Sequence, residues 1–407
     1  MNSRERVLKA VSLEKPDRVP IDLGGMRASG ISAVLYDELK RRMGIDSPTK
    51  VLDSMQILAE VEPEVLERLH VDIVCLDVGA ARWADQDAGE GAEKRLFDGT
   101  RVWFPPGTNI TEEEDGSWVQ RGPDGAAYAR MPKGGFYFDF IRPTMSGHRI
   151  DPEAFHPPDS VADEELEILA RRAKHLYEDT DKAILGWGGS ISLMGLSALL
   201  SDNITQGALD EWFYMLVAEK ETAHEMMGRY VDASIQCLEL YHQAVGDRAV
   251  AWGVASDDAG TQRGEVLAPG LFVEMIKPHY KRLCDWVHAN TGWKTFLHSC
   301  GSVYRYIPEW IEAGIDILNP VQISAANMEP QRLKREFGDK IAFWGGGCDT
   351  QSVLPLGTRD EVREHVRHNI EVFSAGGGYI FTQVHNIQKN VPVENVEAMF
   401  EAAWEFG

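Results

Sequence analysis

Short apolar, β-branched runs recur along this chain, most ending in glycine or a small polar residue and most followed by a stretch of helical periodicity. Eight can be read, at 18–24, 71–77, 183–188, 249–255, 294–298, 315–320, 340–344 and 378–382. Between the last five lie amphipathic patterns over 269–289, 303–313, 328–337 and 358–373. A strand followed by a helix, repeated eight times, predicts an α/β fold of the (β/α)8 TIM-barrel type. An open doubly wound sheet is the alternative, but no GxGxxG follows the first run, where a dinucleotide-binding fold would place it.

The rhythm breaks between the second and third strands. Residues 85–139 are rich in Gly, Pro, aromatic and acidic residues, and carry Arg101-Val-Trp-Phe, Gly116-Ser-Trp-Val-Gln and Ala127-Tyr-Ala-Arg between Gly and Asp turns. This predicts a β-meander inserted into a single domain spanning 1–407. The aromatic cluster that follows Gly134 either lines a pocket or fastens the insertion to the barrel.

Composition narrows the class. With 407 residues and 43% hydrophobic content the chain can bury a large core. Against 41 Lys and Arg stand 64 Asp and Glu, a net charge of −23, which repels nucleic acid and anionic membranes. The N-terminus has no apolar signal segment, and no apolar run reaches the ~20 residues of a membrane helix, so a cytoplasmic protein is expected. Cys75, Cys237, Cys284, Cys300 and Cys348 are odd in number and widely spaced, which suits thiols or metal ligands better than disulfides.

Barrel enzymes build their active sites at the C-terminal ends of the strands, and those ends are unusually polar here. Side chains alternate along a strand, so His298 and Cys300 project the same way and can converge on one soft cation. His385 follows the eighth strand and Cys348 the seventh, so either could complete a site. Thiolate ligation favours Zn²⁺ over Mg²⁺ or Ca²⁺. Asp257 and Asp258, after the fourth strand, are candidate proton donors with His385; they could equally ligate the metal, orient a ligand or cap a helix. Arg27, Ser190, Gln262, Asn319, Gln322 and Asn386 lie at other strand ends as candidate substrate contacts. For an isolated HxC pair, a packed cysteine and a satisfied core histidine are the simpler explanation; the gathering of such residues at one rim argues against it.

The opening Arg4-Glu-Arg-Val-Leu-Lys-Ala-Val with Pro16-Asp-Arg-Val-Pro-Ile, the His298-Ser-Cys-Gly301 segment, and Val391-Pro-Val-Glu-Asn395 together resemble the uroporphyrinogen decarboxylase superfamily, in its corrinoid-linked methyltransferase and O-demethylase-like branch. The resemblance covers nearly the whole chain. It implies a zinc-dependent enzyme that moves a methyl group from a small methylated substrate, an O-methyl compound, to the Co(I) of a separate corrinoid-binding protein, since no Asp-x-His-x-x-Gly motif of a cobalamin module is present here. In that branch zinc is held by an HxC pair and a later cysteine. His385 stands where the family has that cysteine, so either His385 substitutes or Cys348 takes over. The resemblance also allows a homodimer. Two other readings stay open: a metal-free decarboxylase, although the arginine-rich signature of those enzymes is reduced here to Arg27, and a non-catalytic barrel with a structural zinc.

Overall fold

The computed structural model of the chain describes residues 1–77, 91–122, 124–135, 137–141, 150–195 and 209–407. Seven strands form one sheet in the order Tyr379–Ile380, Ala342–Trp344, Ile317–Asn319, Lys294–His298, Ala249–Ser256, Ala183–Ile191 and Ile73–Leu76. Every neighbouring pair is parallel, and spatial order follows chain order. Parallel neighbours need crossovers, which helices such as Lys220–Val245, Lys277–Asn290 and Arg359–Phe373 supply.

The sheet curls until its edges meet at residues 20–22. There Phe381 N–H donates to Pro20 O, Asp22 N–H to Phe381 O and Asp72 N–H to Ile21 O. The run at 18–24 contributes only a parallel bridge between Ile21 and Phe381, not a regular strand; Pro20 has no N–H to give to a ladder. The junction is held electrostatically. The buried Asp72 carboxylate accepts from Arg6 Nη1 at 2.8 Å, Arg18 Nη1 at 2.7 Å and Ile21 N–H at 2.9 Å. The result is a mixed α/β, TIM-like fold.

The interior of the curled sheet is filled by Ile73, Leu185, Phe296, Ile317, Trp344 and Ile380, and the N-terminal helix Ser3–Val11 packs Val7, Ala10 and Val11 into the same cluster. That helix closes one end of the barrel, which leaves the other, at the C-terminal ends of the strands, for chemistry. Trp187 reaches that layer because its neighbour on the next strand is a glycine. A Cβ on Gly253 would lie 2.0 Å from the Trp187 ring.

Between the strands Ile73–Leu76 and Ala183–Ile191 the small strands belong to two sheets where the sequence predicts one meander. Ile110–Glu112, Trp118–Arg121, Ala127–Met131 and Asp139–Phe140 form an antiparallel sheet. Arg101–Phe104 instead pairs with Ala92–Arg95 and, in parallel, with Thr49–Asp53, an earlier strand that sequence patterning does not reveal. Residues 85–90, expected at the start of the insertion, lie outside the described residues. The helix predicted over 269–289 is two, Pro269–Met275 and Lys277–Asn290, because Pro278 cannot donate within a continuous helix. Among the described residues no helix is long and apolar enough to cross a membrane.

Candidate metal centre

His298 ends its strand with its side chain buried at the open end of the barrel. Its Nδ1 lies 2.6 Å from Asn319 Oδ1. The Asn319 amide has one orientation, because its Nδ2 donates to the carbonyl of Trp344 at 2.8 Å. Oδ1 must therefore accept, so the proton of His298 sits on Nδ1 and the Nε2 lone pair is left for the cavity. Cys300 Sγ lies 3.4 Å from that Nε2, and the ring of His385 stands 5.8 Å from the ring of His298, centre to centre.

One ligand atom from each of His298, Cys300 and His385 falls within 4.8 Å of the other two. Zn–N bonds of about 2.0–2.1 Å and Zn–S bonds of about 2.3 Å put tetrahedral ligands roughly 3.3–3.8 Å apart, so small side-chain adjustments suffice. Burial, then the neighbouring His385, lowers the pKa of His298, while Asp258 and the Asn319 bond partly oppose them. Burial and the Asp258 carboxylate push the Cys300 thiol up. Without a metal the pair is thus neutral, the thiol keeping its proton. A divalent cation would take the place of that proton and stabilise the thiolate. The donor set fits a soft metal ion with three protein ligands.

The turn carrying Cys300 is tightly determined. Gly301 has φ +90°, and a Cβ there would meet the Gly260 carbonyl oxygen at 2.2 Å. Gly301 N–H donates to Gln322 Oε1 at 2.7 Å, Gln322 Nε2 to Gln262 Oε1 at 2.8 Å, and Gln262 Nε2 to Gln351 Oε1 at 2.7 Å. Gln262 and Gln322, expected to touch substrate, form with Gln351 an amide chain bracing this turn. Asp258 Oδ1 accepts from Cys300 N–H at 3.1 Å and lies 3.9 Å from His298 Nε2.

Other expected site residues are placed differently. Cys348 is fully buried, its thiol directed 4.0 Å to the Asp349 carbonyl, and it is not part of the three-residue group. Asp257 faces away from the cavity: its carboxylate accepts from Ser192 Oγ, Tyr280 Oη and the N–H groups of Leu193, Met194 and Gly195. Burial pushes this carboxyl up to about 6, with the Met194 and Leu193 N–H groups and the Tyr280 and Ser192 hydroxyls pulling the other way. Asp257 N–H also donates to His298 O at 2.8 Å, tying the loop at 192–195 to the metal strand. Asn319 has both amide ends engaged and orients His298. Ser190 contributes its carbonyl to Tyr230 Oη and does not line the cavity. Asn386 donates to Gln56 Oε1.

A cavity of about 300 Å³ opens beside the centre. His298, His385, Asp258 and Ser256 form part of its wall; Arg27, Asp77, Gln56 and Cys75 form another part, and Met26, Ala28 and Trp187 are its apolar surface. Arg27 is therefore present as expected, with Nε 3.4 Å from Asp53 Oδ2 and 3.6 Å from Asp77 Oδ2. Asp77 and Trp187 escape the sequence reading, although each lies at or near the end of an apolar run as Arg27 does; Ser256 stands with Asp257 and Asp258 at the polar end of the fourth strand. Gln56 and Asp53 have no such signal.

Residues 139–406 match the family model described as uroporphyrinogen decarboxylase (URO-D). The uroporphyrinogen decarboxylase of Pseudoalteromonas translucida is 25% identical over 236 residues, 54% of this chain and 60% of that protein, so the match spans under two thirds of that relative. The Vibrio vulnificus protein of the same name is 23% identical over 273 residues, 63% of this chain and 68% of its own length. A solved methyltransferase from Methanosarcina mazei shares the fold with a TM-score of 0.59 and 17% identity, over 100% of this chain and 99% of that one.

Proposed function

Since this chain belongs to the uroporphyrinogen decarboxylase (URO-D) family, we propose that within it the protein is a zinc-dependent methyltransferase, moving a methyl group from a small O-methyl substrate to the Co(I) of a separate corrinoid protein. The observation that carries this reading is the convergence of His298, Cys300 and His385 at the open end of the barrel. Three ligands leave a tetrahedral ion one exchangeable position, the arrangement of catalytic sites. A bound zinc would supply Lewis acidity at the ether oxygen, where negative charge builds as the methyl–oxygen bond breaks. The bonding pair stays on that oxygen, which needs a proton. Asp258, on the cavity wall and 3.9 Å from His298 Nε2, is placed to hold or relay it. Asn319 keeps the His298 lone pair directed inward, and Trp187 shields one side from water. On the same reading residues 20–22 close the ring of a (β/α)8-type barrel in a cytoplasmic enzyme, and the corrinoid protein covers the open face.

A second reading, decarboxylation, is favoured by the activity named for the curated relatives. One experiment separates them. Zinc-supplied protein is incubated with methoxy compounds and cob(I)alamin, or with uroporphyrinogen. Methylcobalamin formation by the wild type and not by Cys300→Ala supports the first; carbon dioxide release unaffected by that substitution supports the second and overturns the first.

A further inference from the structure

We propose that a second, smaller cavity, at the edge of the barrel sheet, binds a small aliphatic α-amino acid, with Arg172 taking its carboxylate and Glu60 its ammonium group. This site is separate from the metal centre and does not depend on the methyl-transfer reading.

The cavity has a topological origin. Ile73–Leu76 is the last strand of the sheet and is laddered only to Ala183–Ile191. On its other side Asp72 N–H reaches Ile21 O, and beyond that bond a cavity of about 150 Å³ opens, lined by Leu23 and Gly24 from one segment and by Val74 and Cys75 from the other. The helix Asp163–Asp179 covers it. Residues four apart share a helix face, so Arg172 and Leu176 both reach the cavity. Glu60 enters from the chain just after the short strand Leu58–Ala59.

Glu60 and Arg172 feel each other's charge without touching. No hydrogen bond or ion pair joins either side chain to the other or to another described residue, and Arg172 Nε is buried with no partner. Burial raises the pKa of the Glu60 carboxyl, with Lys50 and Arg172 opposing, and lowers that of the Arg172 guanidinium, with Glu60 opposing. Charges withdrawn from water without a partner are costly, so both groups gain from a guest that meets them. The other charged groups at the cavity are already engaged. Lys182 Nζ donates to Val71 O at 2.8 Å and pairs with Glu67 at 3.0 Å, and His175 lies 2.6 Å from Asp179.

A guest that meets both groups carries a carboxylate, which a guanidinium holds by charge-assisted hydrogen bonds, and an ammonium group, which donates to a carboxylate. An α-amino acid has the two on one carbon. Val61, Leu66 and Leu176 offer apolar surface to its side chain. A cavity of this size takes up a molecule of about the size of benzene, which admits alanine to valine and excludes the aromatic amino acids.

The test uses L-valine, 3-methylbutanoate and isobutylamine, which share an isopropyl group and differ in the charged groups they keep. Each is titrated calorimetrically into wild type, Glu60→Gln, Arg172→Met and Cys300→Ala near neutral pH. Valine should bind wild type about tenfold or more tightly than either analogue, since each analogue leaves one buried charge unmatched. Glu60→Gln should lose the preference over the acid, and Arg172→Met the preference over the amine. Glu60→Gln keeps the size of the side chain, so it reports even where Arg172→Met fails to fold. Cys75 also lines the cavity beside the metal centre, and a zinc ion there could itself take an amino acid. Cys300→Ala, which removes a ligand of that ion, should therefore bind valine as wild type does. No binding of valine at millimolar concentration, equal binding of the acid or the amine, valine binding unchanged in Glu60→Gln, or its loss in Cys300→Ala overturns the proposal. Valine binding in a protein that transfers no methyl group would sink the methyl-transfer reading and leave this site standing.

Discussion

Asn319 fixes the tautomer of His298: its Oδ1 accepts from Nδ1 at 2.6 Å while its Nδ2 is committed to the Trp344 carbonyl. The ligand lone pair is thus set before any metal arrives. Asn319→Ala should lower zinc affinity by about 10–100-fold, the range found for partners that orient a ligating histidine. Asn319→Asp keeps an acceptor toward Nδ1 and should retain most of the affinity. Competition against a chromogenic chelator measures both; equal affinity in wild type and Asn319→Ala would show that the bond does not orient the ligand.

Gly301 should resist any side chain. Its φ of +90° and the 2.2 Å approach of a Cβ to the Gly260 carbonyl together predict that Gly301→Ala costs about 1–3 kcal/mol of stability. The turn would have to move, carrying Cys300 with it, so metal affinity should fall as well. Denaturant unfolding and metal content are the checks. An alanine variant matching wild type in both would contradict the close packing described.

The adjacent aspartates 257 and 258 should separate cleanly. Removing the Asp257 carboxylate leaves three backbone N–H groups and two hydroxyls without their acceptor, so Asp257→Ala should cost about 2–5 kcal/mol. Asp258 is exposed at the cavity, and Asp258→Ala should leave the melting temperature near wild type while slowing methyl transfer. The reverse pattern would reassign the two residues.

Asp22 predicts a pH effect. Its buried carboxyl accepts from Trp344 Nε1 and Gly25 N–H, both at 2.8 Å, and burial pushes its pKa from 3.8 up to about 6. The native state therefore binds this proton more tightly than the unfolded chain. Its contribution to stability is largest below about pH 4 and declines as pH rises to about 6, by roughly 3 kcal/mol in all. Asparagine mimics the protonated form, so the advantage of wild type over Asp22→Asn should shrink between pH 4.5 and 7.5. Urea unfolding at both values tests this, and an advantage that grows with pH would mean that the carboxyl is ionised throughout.

Sequence patterning located the parallel strands because each is a short apolar run buried on both faces, as at Lys294–His298 and Ala249–Ser256. It could not see Thr49–Asp53, a short mixed run whose partner Arg101–Phe104 lies far along the chain. At the site, the two-residue spacing of His298 and Cys300 carries its own geometry, and closure of the barrel brings in His385. The roles of Asn319 and Asp257 were illegible for a different reason. Both look like free polar groups at strand ends, and only the fold reveals that Trp344, His298, Tyr280 and the loop at 192–195 already occupy them. Asp77 also ends an apolar run, and nothing local marks it as facing Arg27.

The proposed chemistry depends on a metal held by His298, Cys300 and His385. The most direct measurement is zinc content by elemental analysis of protein supplied with zinc and then desalted, for wild type and for His298→Ala, Cys300→Ala, His385→Ala and Cys348→Ala. About one zinc per chain is expected in wild type and in Cys348→Ala, with a large loss in the other three, where one of three protein ligands is removed. Wild type without zinc, or a site kept by His385→Ala and lost by Cys348→Ala, would contradict it.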